Sequence, residues 1–261
     1  MTDAQDVPQA KPAATVMLLR DNPALEVLMV RSHDKTRTHA GALVFPGGKT
    51  HAEDVEAGWS RYADGFADFD EEQRGLRIAA IREVFEEAGV LLARREDGSS
   101  IGADACPLDI RKAVDAGEAR FIDVVKDMRA RIDLNAVVLW ARWITPALGT
   151  HRFDTWFYAA KAPADQVAVC DGRETVDLEW VTPAGAMDLW RAGERRVVFP
   201  TRTNLGLLGR SATALEAIEA ARTRPFISVQ PRVEERADGR WLVVPPEAGY
   251  GAIEVPVAQA G

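Results

Sequence analysis

Nine consecutive residues, 82–90, restrict the fold of this chain more than any other segment; they read REVFEEAGV. Apolar side chains recur at helical spacing just before and within them, and Gly89 stands where a helix C-cap is expected. The pattern predicts a helix over residues 75–88. Positions i, i+3 and i+4 of a helix share one face, so Glu83, Glu86 and Glu87 are expected to project from a single patch.

Three carboxylates on one patch repel one another, which costs stability unless a cation lies between them. Hard divalent cations prefer oxygen ligands, so the spacing points to Glu83, Glu86 and Glu87 as ligands of Mg²⁺ or Mn²⁺. Arg82 is placed to orient a glutamate by a charge-assisted hydrogen bond. The alternative is a solvated acidic face on an amphipathic helix, which is the more frequent explanation when the spacing is considered alone.

Short apolar runs separated by turn residues predict strands mixed with helices on one core, an α/β or α+β layer fold. Residues 1–12 are polar and are expected to form a flexible tail, and residues 50–74 to form an inserted, partly helical segment. Residues 226–230 and 240–244 are expected to pair as a hairpin across 237–239. The other predicted strands are 13–19, 25–30, 137–144, 153–160 and 178–181, and the other predicted helices are 110–116, 121–131, 183–191, 203–208 and 212–222.

The formal charge of -8 argues against broad binding to nucleic acid, because an acidic surface repels phosphate backbones. A small phosphorylated ligand still fits if metal ions bridge it to carboxylates. Two cysteines without a CxxC motif indicate a reducing compartment, and neither a secretory leader nor an apolar run of membrane-spanning length is found. We therefore expect a cytoplasmic protein that does not bind membranes, with a homodimer left open.

Residues 82–90 also match, at every defined position, the second half of the Nudix box, GX5EX7REUXEEXGU, in which U is aliphatic. Residues 45–48, FPGG, resemble the strand and glycine turn that open the box. Gly48 and Arg82 are 34 positions apart, about 20 more than in the standard box, so the box carries an insertion. Counted back from Arg82, the middle glutamate of the box falls on Arg74, with Glu71 and Glu72 nearby.

Residues 76–92 resemble an insertion-bearing branch of the Nudix hydrolases, which includes the peroxisomal coenzyme A diphosphatases and bacterial relatives. Residues 152–157 and 174–181 resemble the same branch. The resemblance implies an α/β/α sandwich around a mixed β-sheet, with the box as a loop–helix–loop. It implies a Nudix domain over residues 13–225, with the insertion at about 50–74, and a C-terminal helical and hairpin extension, 226–261, packed on that domain.

The chemistry implied by the resemblance is hydrolysis of a diphosphate bond by a water that a divalent metal activates. The general base is expected to be Glu174, in the acidic loop before residues 180–181, with Glu179 or Glu87 as alternatives. The roles carried over by the resemblance are metal binding for Glu83, Glu86 and Glu87, catalysis for Glu174, Glu87 and Arg82, and substrate binding for Gly47 and Gly48.

Arg31, Ser32, Arg37 and Gly41 precede the FPGG turn and resemble the coenzyme A signature RSX3RX3GX3FPGG, with four residues instead of three between Ser32 and Arg37. Arg31 and Arg37 are therefore expected to pair with substrate phosphates, and the expected substrate is coenzyme A or an acyl-coenzyme A. A basic surface loop explains the two arginines equally well. ADP-ribose, NADH and dinucleoside polyphosphates stay open as substrates, and the alternative of another class is a Nudix-fold sensor that binds a nucleotide without cutting it.

Overall fold

Strand β1 (Lys11–Asp21) runs through the middle of the main sheet and presents its side chains alternately to two cores. Ala14, Val16 and Leu18 face one core, while Met17 and Leu19 face the other, as expected for a strand with both faces covered. The computed structural model describes residues 8–32, 40–102, 106–148, 152–172 and 175–260. Within these ranges, layers of helices cover both faces of the sheet.

The remaining strands and the helices follow in chain order. The strands are β2 (Leu25–Ser32), β3 (Leu43–Val44), β4 (Gly47–Lys49), β5 (Ala63–Asp64), β6 (Ala93–Arg95), β7 (Ala130–Asp133), β8 (Val138–Ile144), β9 (Phe153–Lys161), β10 (Thr175–Val181), β11 (Ser228–Val229), β12 (Arg232–Arg236), β13 (Gly239–Val243) and β14 (Glu254–Pro256). The helices are α1 (Glu71–Ala88), α2 (Leu108–Asp115), α3 (Phe121–Asp127), α4 (Pro183–Arg191), α5 (Phe199–Leu208) and α6 (Ala214–Thr223).

The main sheet has the strand order β10-β2-β1-β9-β8-β11, with β3 added to β2 and β4 added to β1. Strands β1 and β9 are parallel, as are β8 and β11, and the other pairs are antiparallel. Helices α1, α2 and α3 contribute to the core on one face, and α4, α5 and α6 to the core on the other. This arrangement confirms the predicted α/β/α sandwich around a mixed sheet.

Helix α1 begins at Glu71, four residues before the predicted start. Asp70 caps the helix, because its side chain accepts a hydrogen bond from Gln73 N at 2.8 Å. Gly75 is an interior position where a Cβ would lie 2.6 Å from Val55 Cγ1, so this glycine permits close packing rather than starting the helix. The predicted C-terminal end and its glycine cap at Gly89 are confirmed.

The insertion is folded onto the domain. It forms 3₁₀ turns at Ala52–Val55, Ala57–Arg61 and Phe66–Asp68, and its strand β5 joins β7 and β6 in a small sheet. Trp59 is fully buried, its ring centroid 5.5 Å from that of Phe121, which in turn lies 5.4 Å from Phe85 in α1. This aromatic row, Trp59–Phe121–Phe85, carries core packing from the insertion to the helix with the glutamates.

Two predicted elements were wrong. The helix expected over 121–131 ends at Asp127, because Arg129 adopts a left-handed conformation (φ 49°) and the chain continues as strand β7. The hairpin expected between 226–230 and 240–244 is formed instead by β12 and β13. Strand β11, which holds Ser228 and Val229, pairs in parallel with β8 in the main sheet.

The predicted strands at 13–19, 25–30, 137–144, 153–160 and 178–181 are confirmed, and α4 has its predicted bounds. Strand β1 begins at Lys11, so two residues assigned to the N-terminal tail already pair with β9. The boundary between the domain and its C-terminal extension at 225 stays a prediction. In the part of the chain that the structure describes, no helix is long and apolar enough to cross a membrane.

Candidate active site

The last turns of α1 hold the three glutamates, and the end of this helix is fixed from two sides. Gly89 takes up the left-handed conformation (φ 67°), and its N–H donates to Phe85 O at 3.0 Å. The guanidinium of Arg111, from α2, donates to Phe85 O at 3.0 Å and to Glu86 O at 2.9 Å. These bonds satisfy backbone carbonyls that a helix C-terminus leaves without partners.

Glu83 and Glu86 are each only 6% exposed, and Glu87 is half-buried. A solvated acidic face would leave all three side chains in water, so this alternative was wrong. All three glutamates line a cavity of about 780 Å³. Buried carboxylates need partners, because removing a charge from water costs several kcal/mol unless hydrogen bonds or opposite charges compensate it.

Arg82 supplies those partners. Its side chain is fully buried; Nη1 lies 2.8 Å from Glu83 Oε1 and 3.1 Å from Glu86 Oε1, and Nη2 donates to Lys49 O at 2.8 Å. Arg82 is not among the described residues that line the cavity. Its contacts agree with the expectation that Arg82 orients a glutamate, and the catalytic role also expected for Arg82 stays a prediction.

The sequence prediction missed Asp54, which is also fully buried and accepts hydrogen bonds from Arg82 Nε at 3.1 Å and Nη2 at 3.2 Å. Counted forward from Gly48, Asp54 occupies the position of the middle glutamate of the Nudix box. The extra residues therefore follow Asp54, whereas the hydrogen bonds of the Arg82 guanidinium go to Asp54, Glu83, Glu86 and Lys49 O and not to Glu71 or Glu72. Counting from the glycine rather than from the arginine would have found this residue.

The two glycines of the FPGG turn allow the backbone to lie directly against the glutamates. Gly47 N–H donates to Glu87 Oε2 at 3.1 Å. A Cβ on Gly48 would lie 2.5 Å from Glu83 Oε1, and one on Gly47 would lie 2.5 Å from Ala14 O. Both residues line the cavity, so the positions expected to bind substrate are beside the carboxylates.

Negative charge accumulates at this end of the cavity. Burial, followed by the charge of Glu83, raises the pKa of Glu86 to about 8 from an ordinary value of 4.5, although Arg82 acts in the opposite direction. Asp115, at the end of α2, also lines the cavity and adds to this effect. Its contribution arises from the packing of α2 on α1, which no local motif predicts.

The rest of the cavity lining joins cationic groups to a large apolar surface. Among the described residues that line the cavity, one lysine, Lys49, and one arginine, Arg196, carry positive charge. The apolar part includes side chains from the main sheet, from the start of α5 and from the C-terminal segment, among them Phe45, Trp143, Phe157, Phe199, Leu242 and Val257.

Other expected site residues either do not line the cavity or fall outside the described residues. Arg37 and Glu174 are outside the described residues. Arg31 lies in β2 next to Ser32; Ser32 lines the cavity and Arg31 does not. Glu179, the alternative base, forms an ion pair with Arg195, with 3.1 Å between Oε1 and Nε. It is not among the described residues that line the cavity.

The donor atoms at this end suit a hard divalent cation. Glu83, Glu86 and Glu87 offer carboxylate oxygens, which Mg²⁺ and Mn²⁺ prefer, and the raised pKa of Glu86 marks charge that a cation would neutralise. Across the described ranges, however, no three His, Cys, Asp or Glu side chains converge as a ready-made metal group. Here Arg82 holds Glu83 and Glu86, while Gly47 holds Glu87. The residues fit the cation by donor chemistry and charge.

Residues 70–206, which are more than half of the chain, match the sequence profile of the NUDT19 Nudix domain. The chain belongs to the NUDT19 Nudix family. A crystal structure of a Nudix hydrolase from Alicyclobacillus acidocaldarius is 25% identical and superposes with a TM-score of 0.71, covering 82% of this chain and 96% of that one. The Nudix fold is thereby confirmed.

Curated proteins of the NUDT19 family are similar over a shorter share of their own length. The protein of Xenopus laevis named acyl-coenzyme A diphosphatase NUDT19 is 28% identical over 209 residues, 64% of this chain and 55% of the relative. The Homo sapiens protein of that name is 30% identical over 134 residues, 47% of this chain and 36% of the relative. The chain thus spans only about a third to somewhat more than half of these two Nudix proteins.

Proposed function

We propose that this chain is a metal-dependent Nudix hydrolase that cleaves the diphosphate bond of coenzyme A or an acyl-coenzyme A. The observation that carries the proposal is the cluster of Glu83, Glu86 and Glu87 at a cavity wall beside the Gly47-Gly48 turn. Membership of the NUDT19 family supports the choice of substrate, since similar members carry the name acyl-coenzyme A diphosphatase.

In the proposed reaction, water attacks one phosphorus of the diphosphate. The water oxygen forms the new P–O bond, the bridging P–O bond breaks, and its electron pair stays with the departing phosphate. A divalent cation held by Glu83, Glu86 and Glu87 would supply Lewis-acid chemistry and neutralise phosphate charge. The Gly47-Gly48 turn brings the backbone directly against the carboxylates, and Lys49 and Arg196, which line the same cavity, would offset the negative charge of the phosphate.

The proton of the attacking water passes to a carboxylate. Our choice is Glu174, which directly precedes β10 in the sequence, and Glu87 is the alternative. Thr175, the first residue of β10, donates its hydroxyl proton to Asp171 Oδ1 at 2.5 Å, and its Oγ1 lies 3.3 Å from Glu87 O, so the start of that strand lies beside the end of α1. The ion pair of Glu179 with Arg195 makes Glu179 the weaker choice.

Coenzyme A would yield 3′,5′-ADP and a phosphopantetheine. This ligand carries a 3′-phosphate that ADP-ribose and NADH lack, and we propose that Arg37 pairs with that phosphate, with Arg31 the weaker choice because it does not line the cavity. Charge-assisted hydrogen bonds contribute about 1.5–3 kcal/mol, which is enough to discriminate between these ligands. The competing functions are hydrolysis of ADP-ribose, NADH or dinucleoside polyphosphates, and nucleotide sensing without cleavage.

The experiment compares kcat/KM for coenzyme A, 3′-dephospho-coenzyme A, ADP-ribose and NADH, with Mg²⁺, with Mn²⁺ and with EDTA. We expect coenzyme A to lead by tenfold or more, about 1.4 kcal/mol of transition-state preference, and EDTA to abolish turnover. Arg37→Ala should erase most of this lead, whereas Arg191→Ala, at an exposed ion pair on α4, should preserve it. Efficient hydrolysis of ADP-ribose with almost none of coenzyme A would refute the substrate, and tight binding without hydrolysis under any metal would favour the sensor.

A further inference from the structure

The cavity extends well beyond the glutamates, across four neighbouring strands. Lys49 in β4 pairs with Ala13 in β1, Ala13 pairs with Thr155 in β9, and Thr155 pairs with Trp143 in β8. All four residues line the cavity. Adjacent strands lie about 4.8 Å apart, so the floor from Lys49 to Trp143 is about 14 Å wide. The glutamates stand at the Lys49 side, because Gly48 touches Glu83.

The side of the cavity around Trp143 is mainly apolar, although Thr145 and Thr155 also line it, and the C-terminal segment contributes to its wall. Every residue that the described part of 226–261 adds to the lining is apolar: Pro231, Leu242, Val257 and Ala260. Strand β11 places this segment there, because its Val229 pairs with Trp143. The four lining residues of the C-terminal segment all lie outside the matched family region 70–206. We name this wall, Leu242, Val257 and Ala260, the C-terminal wall.

The C-terminal wall is held against the start of α5. Phe199 N–H donates to Ala260 O at 3.0 Å, and Arg202 Nη2 donates to Gln259 O at 2.8 Å. Arg202 also donates from Nη1 to Val197 O at 2.9 Å, so one buried guanidinium joins the last turn of the chain to the residues before α5. The wall is thus a fixed part of the cavity.

The aromatic rings at this side are already engaged. Trp143 meets Phe199 and Tyr250 edge to face, with centroids 5.8 Å and 5.5 Å apart, and its Nε1 donates to Tyr250 Oη at 3.1 Å. Its side chain is almost wholly buried. A nucleotide base needs an open ring face and hydrogen-bond partners for its edge, whereas an alkyl chain needs only apolar surface. The apolar side therefore suits an alkyl chain better than a base.

We propose that the C-terminal wall binds the acyl end of an acyl-coenzyme A and selects acylated over free coenzyme A. The inference rests on the proposed diphosphatase function. With the diphosphate at the glutamates, the uncharged pantetheine arm leads away from the charged end of the cavity, and the acyl thioester at its tip reaches the apolar side. Burial of the alkyl chain there removes apolar surface from water.

The test separates binding from turnover. Calorimetry in EDTA measures the Kd of free coenzyme A and of octanoyl-coenzyme A, and kcat/KM for both is then measured with Mg²⁺. We expect octanoyl-coenzyme A to bind at least tenfold more tightly. Val257→Phe, which fills the apolar side, should remove most of that preference and leave the Kd of free coenzyme A within twofold. Val167→Phe, at a valine 69% exposed and outside the described lining, is the matched control and should change neither value.

Thermal melts establish that each variant is folded, and Ala260→Leu fills the same side if Val257→Phe does not fold. Equal Kd values for the two ligands in the wild type overturn the proposal. A variant that weakens both ligands equally also overturns it, since the wall would then bind a part that they share, such as adenine. Failure of the diphosphatase function looks different: both ligands bind with the expected preference, and neither is hydrolysed in Mg²⁺.

Discussion

Asp54 and Arg82, 28 positions apart in the chain, meet through two hydrogen bonds of 3.1 Å and 3.2 Å, and both side chains are fully buried. The same guanidinium holds Glu83 and Glu86. The 3₁₀ turn at Ala52–Val55 is therefore fastened to the helix segment that carries the glutamates. This fastening makes the geometry of the carboxylates depend on a residue that does not line the cavity.

Asp54→Ala should destabilise the fold by about 3 kcal/mol, because it leaves part of the buried Arg82 charge without its partner while Glu83 still neutralises the rest. Urea unfolding measures this loss, and Asp54→Glu should recover part of it by restoring a carboxylate. Asp127→Ala, at an exposed position of α3, is the control and should stay within about 0.5 kcal/mol. A loss below about 1 kcal/mol for Asp54→Ala would show that the pair contributes little.

Gly48→Ala should lower kcat by a large factor, about a hundredfold, because the new methyl group would occupy the place of the Glu83 carboxylate, and displacement of a reacting group by about 1 Å has costs of this order. The control is Gly206→Ala in α5, where a Cβ meets nothing within 4 Å. That change should leave kcat unaltered and stabilise the fold by about 0.5–1 kcal/mol, since alanine favours a helix interior. Unchanged turnover in Gly48→Ala would contradict close contact between residue 48 and Glu83.

The pKa of Glu86 predicts an unusual dependence of stability on pH. Between about 4.5 and about 8 the folded chain keeps a proton on Glu86 that the unfolded chain releases, so the free energy of unfolding contributed by this group should fall as the pH rises through that window. Glu86→Gln should remove this contribution. Melts in EDTA from pH 5 to pH 8.5 test the difference between the two proteins, and parallel curves would argue against a raised pKa.

Addition of Mg²⁺ or Mn²⁺ should reverse that trend. A cation binds the ionised carboxylates, so it should raise Tm more at pH 8 than at pH 5. The measurement is the metal-induced shift in Tm at the two pH values, with Ca²⁺-free buffers and EDTA as reference. Glu87→Gln should reduce the shift and lower turnover by orders of magnitude, and a full shift in that variant would exclude Glu87 as a ligand.

Replacement of the general base should lower kcat about 10² to 10⁴ fold. We expect this loss in Glu174→Gln and a loss of no more than a few-fold in Glu179→Gln, because Glu179 is paired with Arg195 outside the described lining. Rate measurements across pH, under saturating metal, distinguish loss of a base from loss of metal binding. The opposite ranking would move the role to Glu179, and two active variants would move it to Glu87.

The features predicted well from the sequence are those that neighbouring residues determine. Helix α4 has its predicted bounds because Thr182 caps it, accepting from Gly185 N at 3.0 Å, and because Pro183 suits the first turn. The end of α1 at Gly89 follows from the same kind of local signal. The Nudix fold was predictable because residues 82–90 are specific enough to indicate a family.

What could not be predicted depends on contacts between distant segments. Asp54 escaped notice because the insertion separates it from Arg82 and moves it out of the register counted from the arginine. The pairing of β11 with β8 is set by tertiary packing, since two residues carry too little pattern to specify a partner. The C-terminal wall likewise exists only when residues 242–260 fold back beside α5.

The aromatic row from Trp59 through Phe121 to Phe85 has a consequence for local opening of the molecule. Phe85 lies between Glu83 and Glu86 in the sequence, so the helix turn that bears the carboxylates cannot unwind without disturbing rings that also bury the insertion. Amide protons near Trp59 and those of residues 83–87 should then exchange with solvent as one cooperative unit. A substitution that leaves a cavity at Trp59 should therefore speed amide exchange at residues 83–87, well before the whole fold is lost.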